Sequence, residues 1–158
     1  MKKPSFLHKL RKEGKLQIVE PSDNIKKAYL QRSQESLTSA KALITIGSLK
    51  DSIALSYYAM YHCLLALLFR AGIKSENHTA SILLLKSVFE LNNAIISKAK
   101  GERVDKQYYV DFEVTQQEAK DSIRTAETFI AEVTDFIEKL GEEKIIEYQQ
   151  RARQMMQG

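Results

Sequence analysis

Glycine and proline are scarce in this chain: there are six and two among 158 residues. So little turn punctuation excludes a many-stranded fold, and no strand is expected. Cysteine occurs once, as Cys63 within an apolar run. A lone cysteine cannot close an internal disulfide, suits a reducing cytoplasm, and reads here as a small core side chain. No internal repeat or low-complexity tract is present. His8, His62 and His78 fall in different segments with no HxxxH or CxxC spacing, so neither a metal site nor a cofactor is expected. The glycines are isolated, which leaves no loop to cradle a phosphate. Near the N-terminus, Phe6-Leu7 and Leu10 are interrupted by charges, unlike the apolar stretch of a signal peptide. The longest apolar run, Ile53 to Phe69, contains Ser56, three tyrosines and His62 and is short and polar for a membrane span. The expectation is a soluble cytoplasmic protein without a membrane partner.

What charge there is lies unevenly. The net charge is +4, and residues 1–15 hold six Lys/Arg against one acid, or +5, which leaves the remainder at −1. The basic character therefore belongs to an N-terminal arm, residues 1–20. It is expected to be a solvated terminus, with nucleic acid or a membrane surface as the alternative contact.

The rest reads as helices. Within the arm, a short helix around Ser5–Lys12 and a turn at Glu13-Gly14 precede an extended stretch ending at Pro21. Ser22 or Asp23 can cap a first long helix reaching Ile46, with Leu30, Ser33, Leu37, Ala40 and Ile44 on one face. Gly47 ends it. Ser48 and Asp51 read as a capping box for a second helix, Leu49 to Arg70, which Gly72 stops in the left-handed conformation. So short a turn makes the two helices antiparallel. A third helix runs from His78 to about Phe89. Residues 92–111 are less regular, and Gly101 among its charged neighbours predicts a loop after a short helical piece at Ile95-Ile96. Thr115-Gln116-Gln117-Glu118 is a second capping box. It opens a helix with Ala119, Ile123, Ala126, Ile130, Val133, Ile137 and Leu140 at heptad steps. Gly141 breaks that pattern before a polar, helix-prone tail, residues 142–158. The fold class is all-α: an up-and-down bundle of four to five helices over residues 21–141, with the basic arm and the helical tail attached.

The polar residues inside the second helix stand out, because a buried hydroxyl or imidazole destabilises unless it finds a partner. Tyr58 and His62 are four apart and able to share a hydrogen bond. Tyr57 and Tyr61 form the same spacing on a neighbouring face. One of these faces is expected to pack the core and the other to meet a dimer partner. Tyr58, His62, Lys74 and Asn77 form a candidate set for binding nucleotide or RNA through stacking and polar contacts. Structural roles compete at each position: His78 capping its loop, and Arg70 meeting the C-terminal end of its helix dipole.

Ala54-Leu55-Ser56-Tyr57-Tyr58-Ala59-Met60-Tyr61-His62, followed by Ala71-Gly72-Ile73-Lys74-Ser75-Glu76-Asn77-His78, resembles the HEPN domain family, in particular its small stand-alone prokaryotic branch. Ser39-Ala40-Lys41-Ala42-Leu43, Tyr109-Val110-Asp111-Phe112 and Ala126-Glu127-Thr128-Phe129-Ile130 fit the same plan. The resemblance implies a helical bundle that forms a homodimer, often paired with a minimal nucleotidyltransferase in a toxin–antitoxin system. Active members are metal-independent ribonucleases that use an Arg followed after four to six residues by a His, at a cleft shared by two protomers. Carried over, this implies Arg70 and His78 as the catalytic pair. The chemistry suits them, since cleavage through a 2′-hydroxyl needs an acid or base working near neutral pH and a fixed cation for the phosphorane charge. Here seven residues, 71–77, separate the two, and Ala80 stands where the active branch often has Tyr. The leading expectation is thus a HEPN-like module acting with a nucleotidyltransferase, with little or no catalysis. The alternatives are an endoribonuclease toxin using Arg70 and His78, and a nucleotide- or RNA-binding bundle without catalysis.

Overall fold

The computed structural model describes residues 5–108 and 113–158, with side chains for all of these except 104–108. The elements are α1 (Phe6–Lys12), β1 (Leu16–Ile18), α2 (Asp23–Thr45), α3 (Leu49–Arg70), β2 (Ile73–Ser75), α4 (His78–Ser87), α5 (Ala94–Tyr108), α6 (Gln116–Glu138) and α7 (Glu142–Met156). The fold is an all-α bundle with one small β-ribbon. The Tyr109–Phe112 part of the family-like pattern lies outside the described residues.

The centre is α3. It is long and apolar enough to cross a membrane, but 78% of that apolar window is buried inside the protein, so it serves as the core helix. It packs on α2, α4, α5, α6 and β2. Its seam with α2 carries two buried hydroxyls, each used: Ser33 Oγ donates to the Ala59 carbonyl at 2.6 Å, and Ser52 Oγ to that of Ala40 at 2.7 Å. Small residues at these points allow the close approach that two antiparallel helices need. Helix α6 closes the other side with Ala119, Ile123, Ala126, Ile130, Val133 and Ile137 buried, and Thr115 caps it by accepting from Glu118 N at 3.1 Å. The Ser48 hydroxyl, by contrast, donates to Asp51 Oδ2 at 3.0 Å and makes no side-chain cap to the backbone.

Three features depart from the sequence expectations. First, there is strand pairing. Leu16–Ile18 and Ile73–Ser75 run antiparallel, with Leu16 opposite Ser75 and Ile18 opposite Ile73. Leu16 and Ile73 are fully buried, so the ribbon is held by its apolar face. Second, the N-terminal segment is not simply solvated. Leu7 and Leu10 of α1 are buried, α1 packs on α7, and the His8 Nδ1 lies 3.1 Å from the Met156 carbonyl oxygen. The tail meets it with Ile145, Ala152 and Met156 buried. Third, the stretch read as an irregular loop is mostly the helix α5. Ile96 is fully buried, with Ile95 and Ala99 packed against the core. Their helical spacing anchors the segment to α3 and outweighs the roughly 1 kcal/mol that Gly101 costs within a helix.

Candidate functional site

Three elements converge on His78. From α3, Tyr57 and Tyr61 project from successive turns of one face. The Tyr57 hydroxyl lies 2.7 Å from His78 Nδ1. The Tyr61 ring stacks on the imidazole, with centroids 3.7 Å apart and planes inclined by 16°. Tyr58 stands edge-on to the same ring at 6.4 Å. His78 is the first residue of α4, whose start is fixed by the Asn77 side chain accepting from Ala80 N at 2.9 Å. The loop before it is pinned by hydroxyls. Ser75 Oγ donates to the Asn77 carbonyl at 3.1 Å, and Ser81 Oγ reaches Ser75 Oγ at 2.8 Å. The Tyr61 hydroxyl contacts Ser81 Oγ at 3.1 Å. Each hydroxyl has one hydrogen, so donation running from Tyr61 to Ser81, Ser75 and finally the Asn77 carbonyl satisfies the whole chain.

The third element is α5. Its Arg103 guanidinium sits 5.4 Å from the centroid of the Tyr57 ring and 5.5 Å from that of Tyr58, and Nη1 donates to the Tyr58 hydroxyl at 3.3 Å. Cations favour this position because the ring face is electron-rich. Lys100, three residues earlier and therefore on the same face, donates to Thr79 Oγ1 at 2.9 Å, next to His78.

This environment sets the charge states. Burial, then the positive charges of Arg103 and Lys100, lower the His78 pKa below its ordinary 6.5. Burial pushes the Tyr57 phenol upward, with Tyr61 adding to the effect and Arg103 opposing it. Burial likewise raises Tyr61. At neutral pH the site is therefore a neutral imidazole among protonated phenols and two cations, suited to receiving an anion.

The sequence-predicted residues are divided by this geometry. His78 and Tyr58 lie in the cluster. His62 adjoins it, but its expected hydrogen bond with Tyr58 is not formed. The two rings stack at 6.2 Å instead, His62 Nδ1 faces Ser36 Oγ at 3.4 Å, and the Tyr58 hydroxyl goes to Arg103. Burial, then Arg32 and His78, lower the His62 pKa. Asn77 spends its side chain on capping α4. Lys74 alternates with buried Ile73 and Ser75 along β2, and its nearest carboxylate is Glu76 at 3.9 Å. It thus faces away from the ribbon's packed side. Arg70 is not brought to His78 within one chain. It ends α3, thirteen residues beyond Tyr57, or roughly 20 Å along the axis at 1.5 Å per residue. There it lines a separate cavity of about 530 Å³ with Glu20, Asp23, Glu142 and Ile146.

Lys100 and Arg103 escaped sequence reasoning. Their signal was present, since Ile96, Lys100 and Arg103 recur at steps of four and three, but Gly101 hid it. Among the described residues, no group of three or more His, Cys, Asp or Glu is placed to hold a metal ion.

The fold is thus a helical bundle with a tyrosine-histidine cluster on its core helix and at the start of the next helix. The model of the HEPN domain matches residues 27–140, and the chain belongs to that family. Its relatives include the protein named "Putative toxin MJ0605" of Methanocaldococcus jannaschii. That protein is 25% identical over 113 residues, covering 72% of this chain and 84% of the relative. The UPF0332 protein PH1297 of Pyrococcus horikoshii is 39% identical over 54 residues, 34% of this chain and 38% of its own length.

Proposed function

We propose that this HEPN chain is the toxin-like half of a two-component cytoplasmic system, a homodimer that meets RNA or a nucleotide at the His78 cluster and is governed by a nucleotidyltransferase partner. The observation that carries the reading is the cluster itself. A neutral imidazole held by two tyrosines beside Lys100 and Arg103 offers a phosphate both charge and oriented donors. The relative named as a toxin supports the biological setting.

A metal-independent ribonuclease is the second reading, favoured by the position of Arg103. Arg103 and His78 together supply, within one chain, the cation and the titratable group that 2′-hydroxyl attack requires. The family-like use of Arg70 needs a second copy to deliver it. Binding without cleavage, by stacking on Tyr58 and His62, uses the same surface.

The test is expression in a bacterial host. Wild-type chain is expected to arrest growth, co-expression of a minimal nucleotidyltransferase, if one is encoded beside it, to relieve the arrest, and gel filtration to give a dimer. His78→Ala and Arg103→Ala should restore growth. Arrest lost with Arg70→Ala but kept with Arg103→Ala favours the shared-cleft nuclease. No arrest by the wild type, or arrest untouched by His78→Ala, overturns the proposal.

A further inference from the structure

The Tyr57–His78 contact carries a consequence for the chemistry of the site. Tyr57 is fully buried, and among the described residues its hydroxyl has one hydrogen-bond partner, His78 Nδ1 at 2.7 Å. A buried phenol must place its hydrogen on an acceptor. If Nδ1 carried the ring proton, it would donate to the phenol oxygen, and the phenol hydrogen would have no acceptor among these residues. The arrangement that satisfies both groups has Tyr57 donating and Nδ1 accepting through its lone pair. The proton of the neutral ring then sits on Nε2.

Nε2 is differently placed. It bonds to none of the described residues, and His78 is only half-buried. The half-buried ring cannot turn freely, because Tyr61 covers one face at 3.7 Å and Tyr58 stands against its edge. Lys100 reaches Thr79 beside it and bonds no carboxylate among the described residues. Arg103 lies over the neighbouring rings.

We propose that Tyr57 is a positioning residue that locks His78 as an Nε2–H donor, and that this donor together with Lys100 receives a phosphate oxygen of a nucleotide, free or within an RNA strand. In that tautomer Nε2 has no lone pair to accept a proton. His78 therefore enters the site as a hydrogen-bond donor to oxygen, and not as the base of the ribonuclease reading. The inference rests on the reading of the cluster as an RNA or nucleotide site, but the tautomer is measured without any ligand, so the two can fail separately.

The decisive measurement is long-range proton–nitrogen correlation on the full chain with ¹⁵N-labelled histidine above pH 7. Nδ1 is expected to show a pyridine-type shift and Nε2 a pyrrole-type shift, with the two converging in Tyr57→Phe. A pyrrole-type Nδ1 in the wild type, or an unchanged tautomer in Tyr57→Phe, overturns the lock. Titration with adenosine monophosphate and, separately, a short oligouridylate tests the ligand and distinguishes its sources. His78→Gln keeps a donor near the Nε2 position and should bind nearly as the wild type does, whereas His78→Asn and His78→Ala should bind about tenfold more weakly. Glutamine as weak as alanine, or neither probe moving the Nε2 signal, overturns the phosphate assignment. These substitutions fall at a half-buried position, so the test does not depend on Tyr57→Phe folding.

Discussion

Gly72 sits where the core helix ends and the ribbon begins, and its replacement tests how tightly that junction is built. Its φ is +78°, a left-handed conformation. Its carbonyl accepts from Val19 N at 2.8 Å, and its own N–H donates to the Phe69 carbonyl at 3.0 Å. A Cβ added here would stand 2.5 Å from the Val19 carbonyl oxygen and 3.1 Å from Pro21 N, and would press into Gln149 Nε2. The Gln149 side chain can swing away, at the loss of its 3.2 Å bond to the same Val19 carbonyl. The backbone of Val19 can retreat only by opening its bond to Gly72. Gly47 provides the comparison: it ends the preceding helix at the same φ of +78°, and its Cβ would meet nothing within 4 Å.

For Gly47→Ala only the left-handed strain applies, about 1 kcal/mol. For Gly72→Ala the same strain is joined by a steric penalty of about 1–3 kcal/mol and a lost hydrogen bond of about 1 kcal/mol. The sum is about 3–5 kcal/mol. For a domain of this size each kcal/mol moves Tm by roughly 2–4 °C, so Gly72→Ala should melt about 10 °C below the wild type, and Gly47→Ala only a few degrees below. Asparagine sharpens the contrast, because it tolerates the left-handed region: Gly47→Asn should be near neutral, while Gly72→Asn keeps the clash. Thermal melts followed by helix circular dichroism decide it. Equal losses at the two glycines, or rescue of position 72 by asparagine, refute the close approach of Val19 to Gly72.

Other consequences are as direct. Ser33→Ala and Ser52→Ala each remove a fully buried hydroxyl from the α2–α3 seam, and each should cost about 1 kcal/mol in urea unfolding. The sites are far enough apart to add, so a double variant no weaker than either single one contradicts the independent roles. His62 and His78 both have pKa values lowered from 6.5, chiefly by burial. Their neutral forms are preferred in the fold, so stability is highest above pH 6.5 and is lost as pH falls through the lowered folded values. Tm at pH 5.5 should therefore lie below that at pH 7.5, in a range where carboxylates stay ionised; an unchanged or higher Tm at pH 5.5 argues against this. The Cys63 thiol, pushed up to about 12 by burial, should resist a disulfide reagent in the native chain and react promptly in denaturant. Rapid native labelling shows that the core opens there.

The sequence discloses much of this fold because amphipathic burial is a local, one-dimensional signal. The heptad residues of α6 from Ala119 to Ile137 are all buried, as is Leu140 just beyond it, and Thr115 caps where its pattern predicts. Gly72 adopts the left-handed stop expected of it, and Gly47, expected to end its helix, is left-handed as well. The ribbon was not legible. Its strands are three residues each and more than fifty residues apart, so neither is stable without the other. The docking of α1 failed for a related reason: Leu7 and Leu10 look like two apolar residues in a charged arm until Ile145, Ala152 and Met156 arrive from the opposite end of the chain.

The candidate site shows the same divide within a few ångströms. Its aromatic half is local, built by residues four apart on α3 and the start of α4. Its cationic half comes from a different element, α5, whereas the Arg70 that the family resemblance implies ends α3. Arg70 stands eight residues before His78, Arg103 twenty-five after it. A straight helix, however, carries its last residue away from its middle at 1.5 Å per residue, and His78 returns to the middle of α3 while Arg70 stays at its end. Helix α5, held by Ile96, passes the same middle turns and lays Arg103 over Tyr57 and Tyr58. Spacing along the chain can define an arginine–histidine pair only when both residues share an element or lie on opposite sides of a dimer axis. Comparing Arg70→Ala with Arg103→Ala thus separates a site completed within one protomer from one completed between two.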